Sequence, residues 1–160
     1  MRLHRLITRN FRNLDDVDLA TNARVVVFCG DNAQGKTNTL EAIHVLATLK
    51  PLRNQRSRSL ITWDCNEASV AGAIEHQGVE SHYRVDFSPQ GRKCSIDGQT
   101  IAKFDEYFDG IRCIAFTPTH ASILSGGPSL RRKWLDRAAF TAKPEHLTRV
   151  FGYQRCVTQK

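Results

Sequence analysis

Gly30-Asp31-Asn32-Ala33-Gln34-Gly35-Lys36-Thr37 is a complete G-x-x-x-x-G-K-[ST] phosphate-binding loop. Ahead of it, Arg24-Val25-Val26-Val27-Phe28-Cys29 is a short β-branched apolar run that predicts a buried strand; behind it, Asn38 to Leu49 predicts a helix. The motif works in that strand-loop-helix setting. Gly30 and Gly35 permit backbone angles and close approaches that a Cβ forbids, so successive N–H groups can curl into an anion-binding nest. The helix start adds unpaired N–H groups and the positive end of its dipole, the Lys36 ammonium suits β- and γ-phosphates, and the Thr37 hydroxyl suits Mg²⁺. A plain glycine-rich turn is the alternative, and the intact motif with both flanks weighs against it.

Working outward, 160 residues suffice for one well-packed domain that buries about 70% of its unfolded surface. With 41% hydrophobic and 24% charged residues, the composition is that of an ordinary soluble globular protein. No apolar run approaches the ~18 residues a membrane span needs, and Met1-Arg2-Leu3-His4-Arg5 leads into a strand-like pattern without a signal-peptide core, so a cytoplasmic protein is expected. The five cysteines (29, 65, 94, 113 and 156) are odd in number and form no C-x-x-C pair, which predicts reduced thiols rather than a zinc ribbon or a disulfide framework. The six histidines show no H-E-x-x-H, and His44 reads as a structural residue of the helix. No metal beyond nucleotide-bound Mg²⁺ is expected.

The net charge of +7 is unevenly spread. Residues 1–50 carry 7 basic and 5 acidic groups, 51–100 carry 6 and 6, and 101–160 carry 10 and 5. A C-terminal basic excess suits a polyanion such as DNA, which gains affinity through counterion release, and it equally suits a solvated face.

Along the chain, Leu3 to Phe11 and Leu14 to Leu19 predict two strands around a turn at Arg12-Asn13. The helix after the loop carries Leu40, Ile43, Leu46, Ala47 and Leu49, which predicts packing against a sheet, and Pro51 ends it. Leu52 to Ser59 reads as a basic loop. From Ala68 to about 101, alternating apolar residues with turns at Gln77-Gly78, Pro89-Gln90-Gly91 and Asp97-Gly98 predict an antiparallel meander, expected as a layer beside the nucleotide site. Ile111 to Phe116 predicts another strand. Helices follow: a short turn near 121–124, a helix with Pro128 at its first position, and another opened by Pro144. The fold class is therefore α/β, a P-loop NTPase with a mixed sheet, an antiparallel strand layer and a helical C-terminal part. The division expected is a nucleotide-binding lobe over 1–116 and the start of a helical lobe, incomplete, over 117–160. Leu124-Ser125-Gly126-Gly127 imitates the start of an ABC-type signature, but Pro128 stands where glutamine belongs, so it reads as a turn between helices.

Several of these pieces together resemble the RecF family of bacterial recombination-mediator ATPases, relatives of the SMC proteins. They are Asn10-Phe11-Arg12-Asn13-Leu14, the loop running into Asn38-Thr39-Leu40-Glu41-Ala42-Ile43, Pro51-Leu52-Arg53, and Gly126-Gly127-Pro128 with Arg131-Arg132-Lys133-Trp134-Leu135-Asp136. The last is similar to the family's G-x-P-x-x-R-R-x-x-L-D segment. Two departures stand out. Pro118-Thr119-His120 replaces a Pro-Glu-Asp-like step, and no signature or Walker B Asp-Glu follows, so the chain looks like a truncated, N-terminal half of a family member.

The resemblance implies an ABC/SMC-type head that binds ATP and Mg²⁺ and closes as an ATP-dependent homodimer on DNA at gaps or stalled forks, at single-stranded/duplex junctions. RecO and RecR would be partners in RecA loading and in SOS induction. Gly30, Asp31, Asn32, Ala33, Gln34, Gly35, Lys36 and Thr37 would cradle the triphosphate, with Thr37 on the metal. Arg12 matches a position near the phosphates in related heads, and Arg53 a region that supplies an arginine in some SMC relatives. Hydrolysis also needs an oriented water, so nucleotide binding with little turnover is expected, and no catalytic residue is assigned. The competing readings are a small-molecule P-loop kinase, which would show a parallel core, and another SMC-like or OLD-type head. Arg131, Arg132 and Lys133 either touch DNA or pin helices together.

Overall fold

The structure is a computed structural model that describes residues 1–53, 57–102, 104–118, 123, 126–143 and 146–158. The chain divides into two compact units, 1–111 and 112–160. The Thr119-His120 step, the turn near 121–124, Arg56, Pro144, and Leu124-Ser125 of the signature-like stretch lie outside the described residues.

The first unit is built on one six-stranded sheet with β1 (Arg2–Arg9), β2 (Val17–Ala20), β3 (Ala68–His76), β4 (Val79–Ser88), β5 (Gly91–Ile96) and β6 (Gln99–Thr100). Their order is β2-β1-β3-β4-β5-β6, and every described pairing is antiparallel. The alternation of β4 buries Tyr83, Val85 and Phe87 while Arg84 faces water. The turns Gln77-Gly78 (φ 54° and 81°) and Asp97-Gly98 (φ 50° and 79°) have both central residues left-handed, the geometry that matches the twist of a tight hairpin. The predicted meander thus forms, as β3 to β6, and it continues the sheet of β1 and β2. β3 pairs directly with β1, Leu6 opposite Gly72 and Ile7 opposite Ala71, because both strands carry enough apolar surface to lie inside one sheet.

Helix α1 (Lys36–Thr48) lies on β3 and β4 and buries Ala42, Val45, Leu46 and Ala47. Gly72 sets that approach, since a Cβ there would meet Leu46 Cδ2 at 2.8 Å. Leu49 closes the helix in left-handed geometry (φ 57°), its N–H donating to the Val45 carbonyl at 2.8 Å. Beyond the sheet, α2 (Phe104–Asp109) sends the fully buried Tyr107 back to α1, where its hydroxyl donates to the Leu46 carbonyl at 2.7 Å. Tyr107 also meets Tyr83 edge-on with centroids 5.2 Å apart.

Three expectations need correction. Residues 24–29 and 111–116 are irregular chain rather than strands, and Val25 (75%), Val27 (74%), Ile114 (86%) and Phe116 (88%) stand exposed. β-branched composition favours an extended backbone, but a strand forms only where a neighbouring ladder takes its N–H and C=O groups. Among the described residues no strand lies beside either segment, and the sheet described is antiparallel throughout. The turn between β1 and β2 is also longer than Arg12-Asn13, running from Asn10 to Asp16. Lastly, Leu40 is half exposed while Glu41 and His44 take buried places on α1.

In the second unit, α3 (Pro128–Ala142) and α4 (His146–Thr158) touch each other. Pro128 occupies the first turn as its ring requires, behind Gly127 in extended geometry (φ −69°, ψ 168°). His146 Nε2 lies 3.3 Å from Asp136 Oδ1, linking the two helices.

Candidate nucleotide site

The loop from Gly30 to Gly35 has the backbone that its glycines foretold. Gly30 (φ 145°), Ala33 (φ 66°) and Gly35 (φ 83°) alternate it out of the ordinary regions. Gly35 caps α1 with no side-chain acceptor, and the first backbone bond of the helix is Thr39 N–H to the Gly35 carbonyl at 2.8 Å. The N–H groups of Lys36, Thr37 and Asn38 therefore have no partner within the helix, and they carry the positive end of the α1 dipole. Such an end fits an anion.

Lys36 Nζ folds back over the loop, donating to the carbonyls of Gly30 at 2.7 Å and Asp31 at 2.5 Å. Among the described residues, the partners of the ammonium are thus neutral carbonyl oxygens of the loop itself. Asp31, Asn32, Ala33, Gln34 and Thr37 are open to solvent, so the loop residues and the Thr37 hydroxyl can receive a ligand. Among the described residues no cluster of histidine, cysteine and carboxylate side chains forms a metal cage of its own. A Mg²⁺ ion here would be held by Thr37 together with the phosphates, which is the donor set hard Mg²⁺ accepts.

The segment between β1 and β2 forms one wall of this site. Leu14 packs against Gly35, and a Cβ on Gly35 would run into Leu14 Cδ2. Asn13 Oδ1 accepts from the Asn38 side-chain amide, so the wall is tied to the first turn of α1. Arg12, left-handed at φ 59°, is directed to the second turn of the helix: its Nε and Nη2 donate to Glu41 Oε2 and Oε1, each at 2.9 Å, and Nη1 donates to the Ser59 carbonyl at 2.8 Å. The Leu52 N–H adds a bond to Glu41 Oε1 at 3.1 Å, and the Arg53 N–H lies 3.5 Å from the same oxygen. Arg53 itself is exposed.

Glu41 is thus a buried hub that joins the wall of the site, α1 and the loop after it. Sequence reading passed over it, although a signal existed: Glu41 stands four residues before Val45 and eight before Leu49, on the buried stripe of α1. A carboxylate at that register must find a cation inside the protein. In the second unit, Arg131 Nη1 donates to the Gly126 carbonyl at 3.0 Å, a bond between α3 and the residues that lead into it. No helix among the described residues is long and apolar enough to cross a membrane.

Comparison with known proteins fits this geometry. The AAA ATPase domain family matches residues 1–107. Over all 160 residues the chain is 37% identical to the DNA replication and repair protein RecF of Geobacter sp. (strain M21), covering 100% of this chain and 44% of the relative. RecF of Myxococcus xanthus (strain DK1622) is 39% identical, at 100% and 42% coverage, and RecF of Anaeromyxobacter dehalogenans (strain 2CP-C) is 41% identical, at 98% and 43%. A solved structure of the recombination mediator protein RecF-ATPrS in the RecFOR pathway superimposes with TM-score 0.86 at 25% identity, covering 99% of this chain and 43% of the other. The corresponding RecF-ATP structure gives 0.84. The resemblance carried by the motifs is borne out along the whole chain, which spans less than half the length of the relatives it matches.

Proposed function

Since this chain belongs to the AAA ATPase domain family, we propose that it is the nucleotide-binding part of a RecF-type DNA replication and repair ATPase. Residues 30–37 cradle the triphosphate of ATP, Lys36 exchanges the Gly30 and Asp31 carbonyls for β- and γ-phosphate oxygens, and Thr37 holds Mg²⁺. Arg12 lends positive charge from the wall of the site while Glu41 fixes its guanidinium. Residues 1–116 act as the head lobe and 117–160 begin a helical lobe. Bound ATP governs whether two heads close together over DNA at a gap or stalled fork in the cytoplasm, and RecO and RecR take part in the RecA loading and SOS response that follow.

The observation that carries this reading is the uncapped start of α1 behind a positive-φ glycine curl, with an ammonium already poised over it. The antiparallel sheet weighs against a small-molecule kinase, whose core would be parallel. Calorimetric titration with Mg-ATP tests the site. Binding by the wild-type chain and its loss in Lys36→Ala are expected; equal affinity for both sinks the assignment.

A further inference from the structure

The charge of this protein is divided along its structural boundary. Residues 1–111 hold 14 Lys/Arg and 14 Asp/Glu, whereas residues 112–160 hold 9 and 2, so the entire excess of +7 falls on the second unit. Six of those nine cations are arginines, whose planar forks match phosphate oxygens two at a time. One of the two acids, Asp136, faces His146. Arg132, Arg137 and Arg155 are exposed, and among the described residues no side chain or carbonyl pairs with any of their guanidinium groups.

We infer that the α3–α4 unit is the surface that grips the DNA backbone, while the first unit, electrically neutral, contributes little to that grip. The inference rests on the DNA-binding part of the proposed function and names where that binding resides. A solvated helical face would have no need of so lopsided a balance when the neighbouring unit is neutral. Three exposed arginines whose guanidinium groups have no partner among the described residues can each displace a condensed counterion, and neutralising any one of them lowers the slope of log K against log salt by about 0.9.

The test uses the full chain and a fluorescent gapped duplex, titrated at several salt concentrations. The triple variant Arg132→Gln, Arg137→Gln and Arg155→Gln is expected to lose at least about tenfold in affinity near 0.1 M salt and to flatten the salt slope by about 2 to 3. The control triple Arg2→Gln, Arg24→Gln and Lys93→Gln removes equal charge from the first unit and is expected to change affinity less than about twofold. Circular dichroism checks that both variants stay folded, and a single Arg155→Glu replaces the triple if it does not. Equal losses in both triples, or none in the first, overturn the inference while leaving DNA binding intact. A wild-type chain that ignores DNA, or that binds phosphatidylserine vesicles instead, overturns the DNA-binding reading itself.

Discussion

Arg12 holds Glu41 by two parallel bonds of 2.9 Å, and the carboxylate it holds is wholly buried on α1. The pair is closed off further by the Ser59 carbonyl on the guanidinium and the Leu52 N–H on the carboxylate. Breaking it from one side strands a charge in the interior. Glu41→Ala is expected to cost about 3–5 kcal/mol, measured by urea unfolding, and Arg12→Ala a comparable amount. A double variant less destabilised than the sum of the two singles is the signature of a direct pair. Strict additivity would show that the two residues act apart.

Gly35 is limited by its backbone and by its neighbour. At φ 83° any side chain is strained, and here the added Cβ also meets Leu14. Gly35→Ala should therefore destabilise by about 1–3 kcal/mol and weaken Mg-ATP binding together. Adding Leu14→Ala removes the collision but leaves the strain, so it should restore nucleotide affinity only in part. Full restoration would mean that the left-handed turn itself matters little.

His4 offers a pH-dependent reporter of the β1–β3 pairing. Its hydrogen bond to Glu75 at 2.8 Å, aided by Asn22, raises the imidazole above its ordinary value of 6.5, and the same bond lowers Glu75. A raised folded value means that the imidazolium contributes stability fully below pH 6.5, and that this is lost as pH rises through the folded value. For Glu75 the sign reverses: its contribution is present above its ordinary 4.5 and fades as pH falls through the lowered folded value. NMR titration should place His4 above a free histidine, and Glu75→Gln should bring it back down. An unmoved His4 in that variant would assign the shift elsewhere.

The parts of this fold that the sequence made legible are those whose rules are local. A glycine-bracketed loop, the Gln77-Gly78 and Asp97-Gly98 turns, the alternation of Tyr83, Val85 and Phe87, and Pro128 at a helix start each depend on a few neighbouring residues. What escaped depends on distant partners. The direct pairing of β3 with β1 joins segments far apart in the chain, Leu6 with Gly72 among them, and the Glu41 hub draws on Arg12, Ser59 and Leu52 from separate stretches. Resemblance named Arg12 as a site residue but gave no hint of the carboxylate that orients it.

The run Arg24 to Cys29 shows the same division most sharply, because its composition says strand and its surroundings supply no ladder. Val25 and Val27 are exposed, so polar isosteres there should leave folding almost untouched. Val25→Thr with Val27→Thr is expected to shift the unfolding free energy by less than about 0.5 kcal/mol, as for surface sites generally. Leu46→Ala, at a buried position beneath Gly72, should cost about 2–5 kcal/mol in the same assay. The threonine pair should also lower light scattering on concentration, since it breaks an apolar strip with unsatisfied β propensity. A threonine pair as damaging as Leu46→Ala would mean that 24–29 packs as a strand in solution after all, against the exposed irregular chain seen here.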